Sequence, residues 1–184
     1  MTEPKSFRTE ELRARVSELR AGDSLRLSGT VYTARDAAHK RILAAIEAGE
    51  ELPFPLKDAV IYYAGPTAAP PGHVIGACGP TTASRMDPFA PRLLDLGLAA
   101  MIGKGERSPE VVEAVRRNRA LYLCAIGGAG ALAARHITAC EVIAYPELGC
   151  ESVKRLTFAD FPLICAIDAE GNDLFREGRK TYAK

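Results

Sequence analysis

Three short apolar segments constrain this chain most. Ala59–Ala64 (Ala-Val-Ile-Tyr-Tyr-Ala), Ala99–Ile102 and Ala120–Ala125 are bounded by turn residues and too short for core helices. They read as buried strands. Helix signals fall between them. Pro91–Leu96 runs into Gly97, and Ser108-Pro109-Glu110 sets a cap, a first-position proline and a first-turn acid ahead of a helix to about Arg117. Strands alternating with helices through the middle of 184 residues give the α/β class and one domain, 1–184.

The flanks follow the same rules. Leu12, Val16 and Leu19 lie on one face of a helix over 9–20, so residues 1–23 read as an N-terminal helical extension. Ser24–Tyr32 alternates as a strand with one covered face: Leu25, Leu27, Gly29 and Val31 on one side, Arg26, Ser28, Thr30 and Tyr32 on the other. Asp36 can N-cap a helix that Gly49 stops. Leu52–Leu56 is a stiff linker, and Gly65–Gly72 a proline-rich loop. Val74-Ile75 reads as a short strand. Val153–Phe158 and Phe161–Ile167 read as two strands, Asp168–Asp173 as a turn, and the charged residues 176–184 as a loose tail.

Charge excludes two partner classes. With 24 basic and 23 acidic side chains the formal net charge is +1, no footprint for nucleic acid or an anionic membrane. No long apolar stretch and no signal-peptide core occur, which points to the cytoplasm. The five cysteines, Cys78, Cys124, Cys140, Cys150 and Cys165, are odd in number and contain no C-x-x-C pair, so they form neither a disulfide framework nor the usual zinc spacing. Cys124 and Cys165 sit in apolar runs, where free cysteine behaves as a small hydrophobe. No metal ligands are assigned to this chain.

The densest local chemistry is Gly76-Ala77-Cys78-Gly79-Pro80-Thr81-Thr82-Ala83-Ser84-Arg85-Met86-Asp87. A loop turning at Gly79-Pro80 can aim the hydroxyls of Thr81, Thr82 and Ser84 at one point. Arg85 adds a planar fork suited to a carboxylate or phosphate, and Asp87 stands where a helix N-cap would. Read alone, such a cluster is also ordinary loop chemistry. Arg35 and His39 flank the start of the helix at Asp36; taken singly they read as a surface charge and a solvated helix residue. Lys104, between Gly103 and Gly105 at a strand end, is placed to meet an anion, although the P-loop residues around it are missing. Gly127-Gly128 after a strand suits a phosphate turn in outline and close helix–sheet packing better.

Taken in order, Ser28-Gly29-Thr30, Ala34-Arg35-Asp36-Ala37-Ala38-His39, Tyr63-Ala64-Gly65-Pro66, Gly79 to Asp87, Gly103-Lys104-Gly105, Gly127-Gly128 and Asp160-Phe161-Pro162 to Asp173 resemble one family. It is the β subunit, or C-terminal domain, of class I iron–sulfur fumarate hydratases and L(+)-tartrate dehydratases, and the resemblance spans about residues 24–175. It implies a swivelling β/β/α domain that docks on an α subunit. The α subunit supplies three cysteines to a 4Fe–4S cluster, and an α2β2-type assembly is expected. The substrate is a C4 dicarboxylate, fumarate to L-malate first and tartrate to oxaloacetate second. Thr81 becomes the proton-transfer hydroxyl. Arg35, Thr82, Arg85 and Lys104 become substrate contacts, with Asp36 and His39 at the pocket edge. Cations around Thr81 would favour its ionised form. Cys78, Ser84 and Glu106 depart from the family's usual residues and bear on substrate preference.

Two other readings stand beside this one. The chain could be a non-catalytic dicarboxylate-binding or assembly module, which would have no need of Thr81, Arg85, Lys104 and Arg35 together. It could also be a nucleotide-binding domain resting on Gly127-Gly128.

Overall fold

The computed structural model describes residues 3–182. In chain order the elements are β1 (Lys5–Arg8), α1 (Thr9–Arg15), β2 (Ser24–Thr33), α2 (Asp36–Ala48), β3 (Val60–Tyr62), α3 (Ala90–Asp95), β4 (Ala100–Gly103), α4 (Pro109–Arg117), β5 (Leu121–Cys124), α5 (Gly130–Ala134), β6 (Ile137–Ala144), β7 (Val153–Ile167) and α6 (Leu174–Tyr182). Short 3₁₀ turns occupy Val16–Glu18, Ala83–Met86 and Pro146–Glu151.

One mixed sheet organises the chain, in the order β1-β2-β3-β4-β5-β7-β6. Strands β2 to β5 run parallel, with Tyr32 opposite Ile61, Ile61 opposite Met101 and Met101 opposite Tyr122. The long β7 runs antiparallel to both β5 and β2, so the sheet closes into a small barrel. β1 and β3 take successive halves of the same edge of β2.

The side-chain period of two divides the core. Val60, Tyr62, Ile102, Leu121 and Leu123 point into the barrel, where they meet Leu25, Leu27, Phe158, Phe161 and Leu163. Phe158 and Phe161 stack at 4.1 Å between centroids. Ile61, Met101 and Tyr122 point outward and are covered by Ile42 of α2, Leu93 and Leu94 of α3, and Val111 and Val115 of α4. This double burial is why β3, β4 and β5 are apolar without a break.

The N-terminal segment is part of the barrel rather than an extension. Phe7, Leu12, Val16 and Leu19 are all buried in the inner cluster. Each such side chain is worth about 1.5–3 kcal/mol by area, too much for an appendage. The helix expected over 9–20 breaks into α1 and a 3₁₀ turn. Gly29 (φ +117) lets it lie close: a Cβ there would sit 2.2 Å from Thr9 Oγ1, which accepts from Thr30 N at 3.0 Å.

The tail also differs from expectation, being helical through Tyr182. Asp173 caps it, accepting from Phe175 N at 2.9 Å. Residues 1–2 and 183–184 lie outside the described residues. Val74-Ile75 is not a strand. The two strands expected over 153–167 are one, β7, interrupted where Asp160 adopts φ 49 and its N–H donates to Ser28 Oγ at 2.9 Å. Such a bulge absorbs one extra residue without ending the ladder. None of the described helices is long and apolar enough to cross a membrane.

Candidate active site

The parallel strands β2, β3, β4 and β5 all end at one rim of the barrel. The residues just past their C-terminal ends are Arg35-Asp36, Gly65, Lys104 and Gly127-Gly128. The carboxyl ends of parallel strands are where α/β sheets place their sites, because the loops converge there and helices begin there.

Arg35 is the residue before α2, in extended backbone at φ −123 and ψ −163. Its Nη2 lies 3.4 Å from Glu151 Oε1. The side chain passes over Gly65, where a Cβ would stand 2.6 Å from Arg35 Nη1. Glu151 also accepts from Ala37 N at 3.0 Å through its other oxygen. It therefore takes the capping role expected of Asp36. Asp36 is instead the first residue of α2, which frees its carboxylate to hold Arg85: Nε donates to Oδ1 at 3.0 Å, and Nη2 lies 2.7 Å from Oδ2.

Thr81 and Thr82 lie on a strip of backbone drawn between β3 and β4. Thr81 N donates to Tyr63 O at 2.7 Å, and Thr81 O accepts from Lys104 N at 3.3 Å. With both backbone groups engaged, the hydroxyl is what residue 81 can offer a ligand. Thr82 Oγ1 accepts from Lys104 Nζ at 3.1 Å. Gly103 makes room for this strip, since a Cβ there would meet Ala83 Cβ at 2.9 Å and Tyr63 Cδ2 at 3.0 Å.

Of the glycines after β5, Gly127 and Gly130 serve close packing, whereas Gly128 adopts φ 81 with open space around it. A Cβ on Gly127 would lie 3.1 Å from Lys104 Cδ, so this glycine lets the lysine stem cross the turn. Cys78 N donates to Gly130 O at 3.0 Å, tying α5 to the threonine loop. Three cations (Arg35, Arg85, Lys104), two carboxylates (Asp36, Glu151) and two hydroxyls (Thr81, Thr82) thus share the rim. Arg85 and Thr82 are exposed, while Arg35, Asp36, Thr81 and Lys104 are half-buried.

His39 does not belong to the pocket edge. It is fully buried beneath the rim, its ring 5.4 Å from that of Tyr63 and 5.6 Å from that of Phe89. Its Nδ1 donates to Arg35 O at 2.8 Å. Burial pushes its pKa down to about 4. Asp87 is not the N-cap of α3 either. Its two oxygens accept from Arg107 Nε at 2.6 Å and from Ser108 N at 2.8 Å, joining the 3₁₀ turn that carries Arg85 to the start of α4. Arg107 is a buried cation over the faces of Tyr122 and Tyr63, at 4.8 and 5.5 Å from their centroids.

Glu151 and Arg107 were not among the residues read from the sequence. Glu151 lies 116 positions from Arg35, in a turn with no local signature. Arg107 precedes a helix cap, where an arginine is ordinarily at the surface.

Cys140 and Cys150 line one cavity together with Lys154. Cys78 and Cys165 are buried, and burial pushes each thiol up to about 12. Cys150 is exposed on the turn beside Glu151. Among the described residues no three His, Cys, Asp or Glu side chains converge on a point that could hold a metal ion.

A family model for the fumarase C-terminus matches residues 5–178. The anaerobic class I fumarate hydratase of Escherichia coli K12 is 41% identical over 170 residues, which is 91% of this chain and 31% of that protein. Fumarate hydratase 2 of Leishmania major is 38% identical over 168 residues, 90% of this chain and 30% of that protein. The chain therefore spans about a third of these fumarate hydratases. It spans 85% of the L(+)-tartrate dehydratase subunit beta of E. coli K12, with 33% identity over 174 residues and 92% of this chain matched. The matched span takes in the barrel and every residue of the rim, and the chain belongs to the fumarase C-terminus family.

Proposed function

We propose that this chain is the β subunit of a two-subunit hydro-lyase acting on a C4 dicarboxylate, fumarate to L-malate, and active only with an α subunit. The feature that supports this reading is the rim that Arg35, Arg85, Lys104, Thr81 and Thr82 share, with Lys104 Nζ donating to Thr82 Oγ1 at 3.1 Å. Arginine forks and a lysine suit carboxylates, and a positioned hydroxyl suits proton transfer.

Charge supports a shared site. Three cations against Asp36 and Glu151 leave one net positive charge, and a dicarboxylate brings two negative ones. The remaining neutralisation falls to the partner's side. In hydration, the Thr81 O–H gives its proton to the carbon that becomes CH₂, the hydroxide of a water molecule adds to the neighbouring carbon, and that water's remaining proton returns the Thr81 oxygen to the neutral hydroxyl. Dehydration takes the same proton back onto the Thr81 oxygen. Lys104, close to Thr82, and Arg85 stabilise the ionised oxygen and orient the carboxylates.

The described residues of this chain do not fit an iron–sulfur cluster, because two of the five thiols are buried and protonated and no three ligands converge among them. We assign the 4Fe–4S cluster that the resemblance implies to the α subunit. The chemistry of this chain is then binding, orientation and proton transfer. An α2β2-type assembly in the cytoplasm and a swivelling β/β/α domain that closes on the partner complete this reading.

L(+)-tartrate dehydration to oxaloacetate is the second reading, favoured by the match to 85% of a tartrate dehydratase β subunit. The ratio of kcat/KM for fumarate to that for L(+)-tartrate, measured on the anaerobically assembled αβ protein, separates the two. A ratio above one supports the first reading and a ratio below one the second. Turnover of neither by a complex with an intact cluster contradicts both.

A further inference from the structure

Beneath the rim lie three buried polar atoms that have no hydrogen-bond partner among the described residues: His39 Nε2, Tyr63 Oη and Arg107 Nη2. They belong to side chains that pack together. The His39 ring stands edge-on to Tyr63 at 5.4 Å, and the Arg107 guanidinium lies 5.5 Å from the centre of the Tyr63 ring. All three residues are buried, and the Arg107 side chain has no exposed surface.

Buried polar groups are almost always paired, so a cluster of orphans needs a physical reason, and a water shared between them is one. The three atoms are complementary. His39 donates from Nδ1 to Arg35 O, so Nε2 is an acceptor. Burial first, with the Arg107 charge adding to it, pushes the ring pKa down to about 4 and keeps Nε2 unprotonated at neutral pH. Arg107 Nη2 is a donor, and the tyrosine hydroxyl can be either. One water that accepts from Arg107 and donates to His39, with Tyr63 as its third neighbour, satisfies the whole set. Three partners is the usual number for an internal water.

We propose that His39, Tyr63 and Arg107 bind one ordered water below the candidate site, and that this water-closed node positions its reactive residues. Each member of the node reaches the rim through a bond already described. His39 holds Arg35 O at 2.8 Å. Tyr63 O receives Thr81 N at 2.7 Å. Arg107 holds Asp87, whose N–H closes the Arg85 turn on Ser84 O at 3.2 Å. The node therefore sets the relative placement of Arg35, Thr81 and Arg85 from behind. The three act as positioning residues.

The first test is a crystal structure of the full chain at a resolution that shows ordered waters. Density for one water within hydrogen-bond distance of all three atoms is expected. Direct closure of the three groups on one another, with no water, overturns the proposal. The second test rests on the hydro-lyase reading and uses Tyr63→Phe, which keeps the ring and removes the hydroxyl. In the assembled enzyme it is expected to lower kcat by about tenfold or more with the unfolding midpoint little changed, because small misplacements of reacting groups are costly. Nitrogen NMR of His39 should at the same time report a changed Nε2 environment. Unchanged kcat and an unchanged His39 signal in Tyr63→Phe overturn the positioning role. The crystallographic test does not depend on activity, so it stands whichever substrate the enzyme turns over.

Discussion

Arg85 and Asp36 are 49 positions apart and form one side-on ion pair, with Nε donating to Oδ1 at 3.0 Å and Nη2 at 2.7 Å from Oδ2. The pair occupies Nε and Nη2 and leaves Nη1 outside it. It also explains why Asp36 does not cap its own helix, a role that Glu151 fills from a distant turn.

This pair is half exposed on the arginine side, so its role is orientation more than stability. Asp36→Asn should change the folding free energy by less than about 1 kcal/mol. It should lower kcat/KM of the assembled enzyme by about 10- to 100-fold, because Arg85 loses its fixed direction. Denaturant unfolding and steady-state kinetics on the same preparation check both halves.

Gly65→Ala should act on Arg35 alone. The added Cβ would stand 2.6 Å from Arg35 Nη1, the end of a flexible side chain that can swing away. The protein should fold with a cost of about 1 kcal/mol or less, while KM for the dicarboxylate rises by roughly tenfold, the equivalent of about 1.4 kcal/mol of lost binding. Gly76→Ala is the contrast. Its Cβ would meet the backbone oxygens of Thr67 and Ala68 at 2.5 Å, which cannot move cheaply. It should destabilise the chain by about 1–3 kcal/mol.

The rim and the barrel were legible to different degrees. Apolar runs of four to six residues marked β3, β4 and β5, because strands covered on both faces carry no polar positions to confuse the pattern. Ser108 and Gly49 marked helix ends by local chemistry that the structure reproduces, with Ser108 Oγ accepting from Val111 N and Gly49 at φ 68. Barrel closure was not legible. It depends on the pairing of β2 with β7, more than 120 positions away, and on a bulge at Asp160 that reads as a break between two strands. His39 was misplaced for a related reason. A histidine one turn into a helix looks solvated until Tyr63 and Phe89 are known to pack on it. The sequence motifs singled out Arg35, Asp36, Thr81, Thr82, Arg85 and Lys104, which the structure brings to one rim, but not Glu151 or the buried Arg107 that lie behind them.

His39 makes stability depend on pH. Its pKa in the folded chain is near 4 against 6.5 for the free group, so between those values the unfolded state binds the extra proton. This contribution is fully present above about pH 6.5 and is lost as pH falls toward 4, amounting to roughly 3 kcal/mol over the window. Unfolding free energies at pH 7 and pH 5 should differ by about 2 kcal/mol more in the native chain than in His39→Phe, which keeps an aromatic ring and cannot titrate.

Arg107 and Asp87 form the most buried ion pair of the site region, with side-chain exposures of 0% and 12%. Asp87→Asn strands a buried cation and should cost about 3–5 kcal/mol. Replacing both, as Asp87→Asn with Arg107→Met, should cost less than the single change, because no unpaired charge remains. A double-mutant cycle in urea measures the difference.

Thr81 carries the proposed proton transfer. Thr81→Ala should lower kcat by about 10²- to 10⁴-fold, while Thr81→Ser, which keeps the hydroxyl, should retain most of the rate. KM should move little in either variant, since the arginines and the lysine remain.

The central claim is that this chain supplies half of a dicarboxylate site. The most direct measurement is the initial rate of malate formation from fumarate, and of oxaloacetate formation from L(+)-tartrate, by this chain alone, the α subunit alone and the two assembled without oxygen. Turnover by the assembled pair that vanishes when either chain is omitted is the predicted result. Undiminished turnover by the α subunit without this chain would contradict the account.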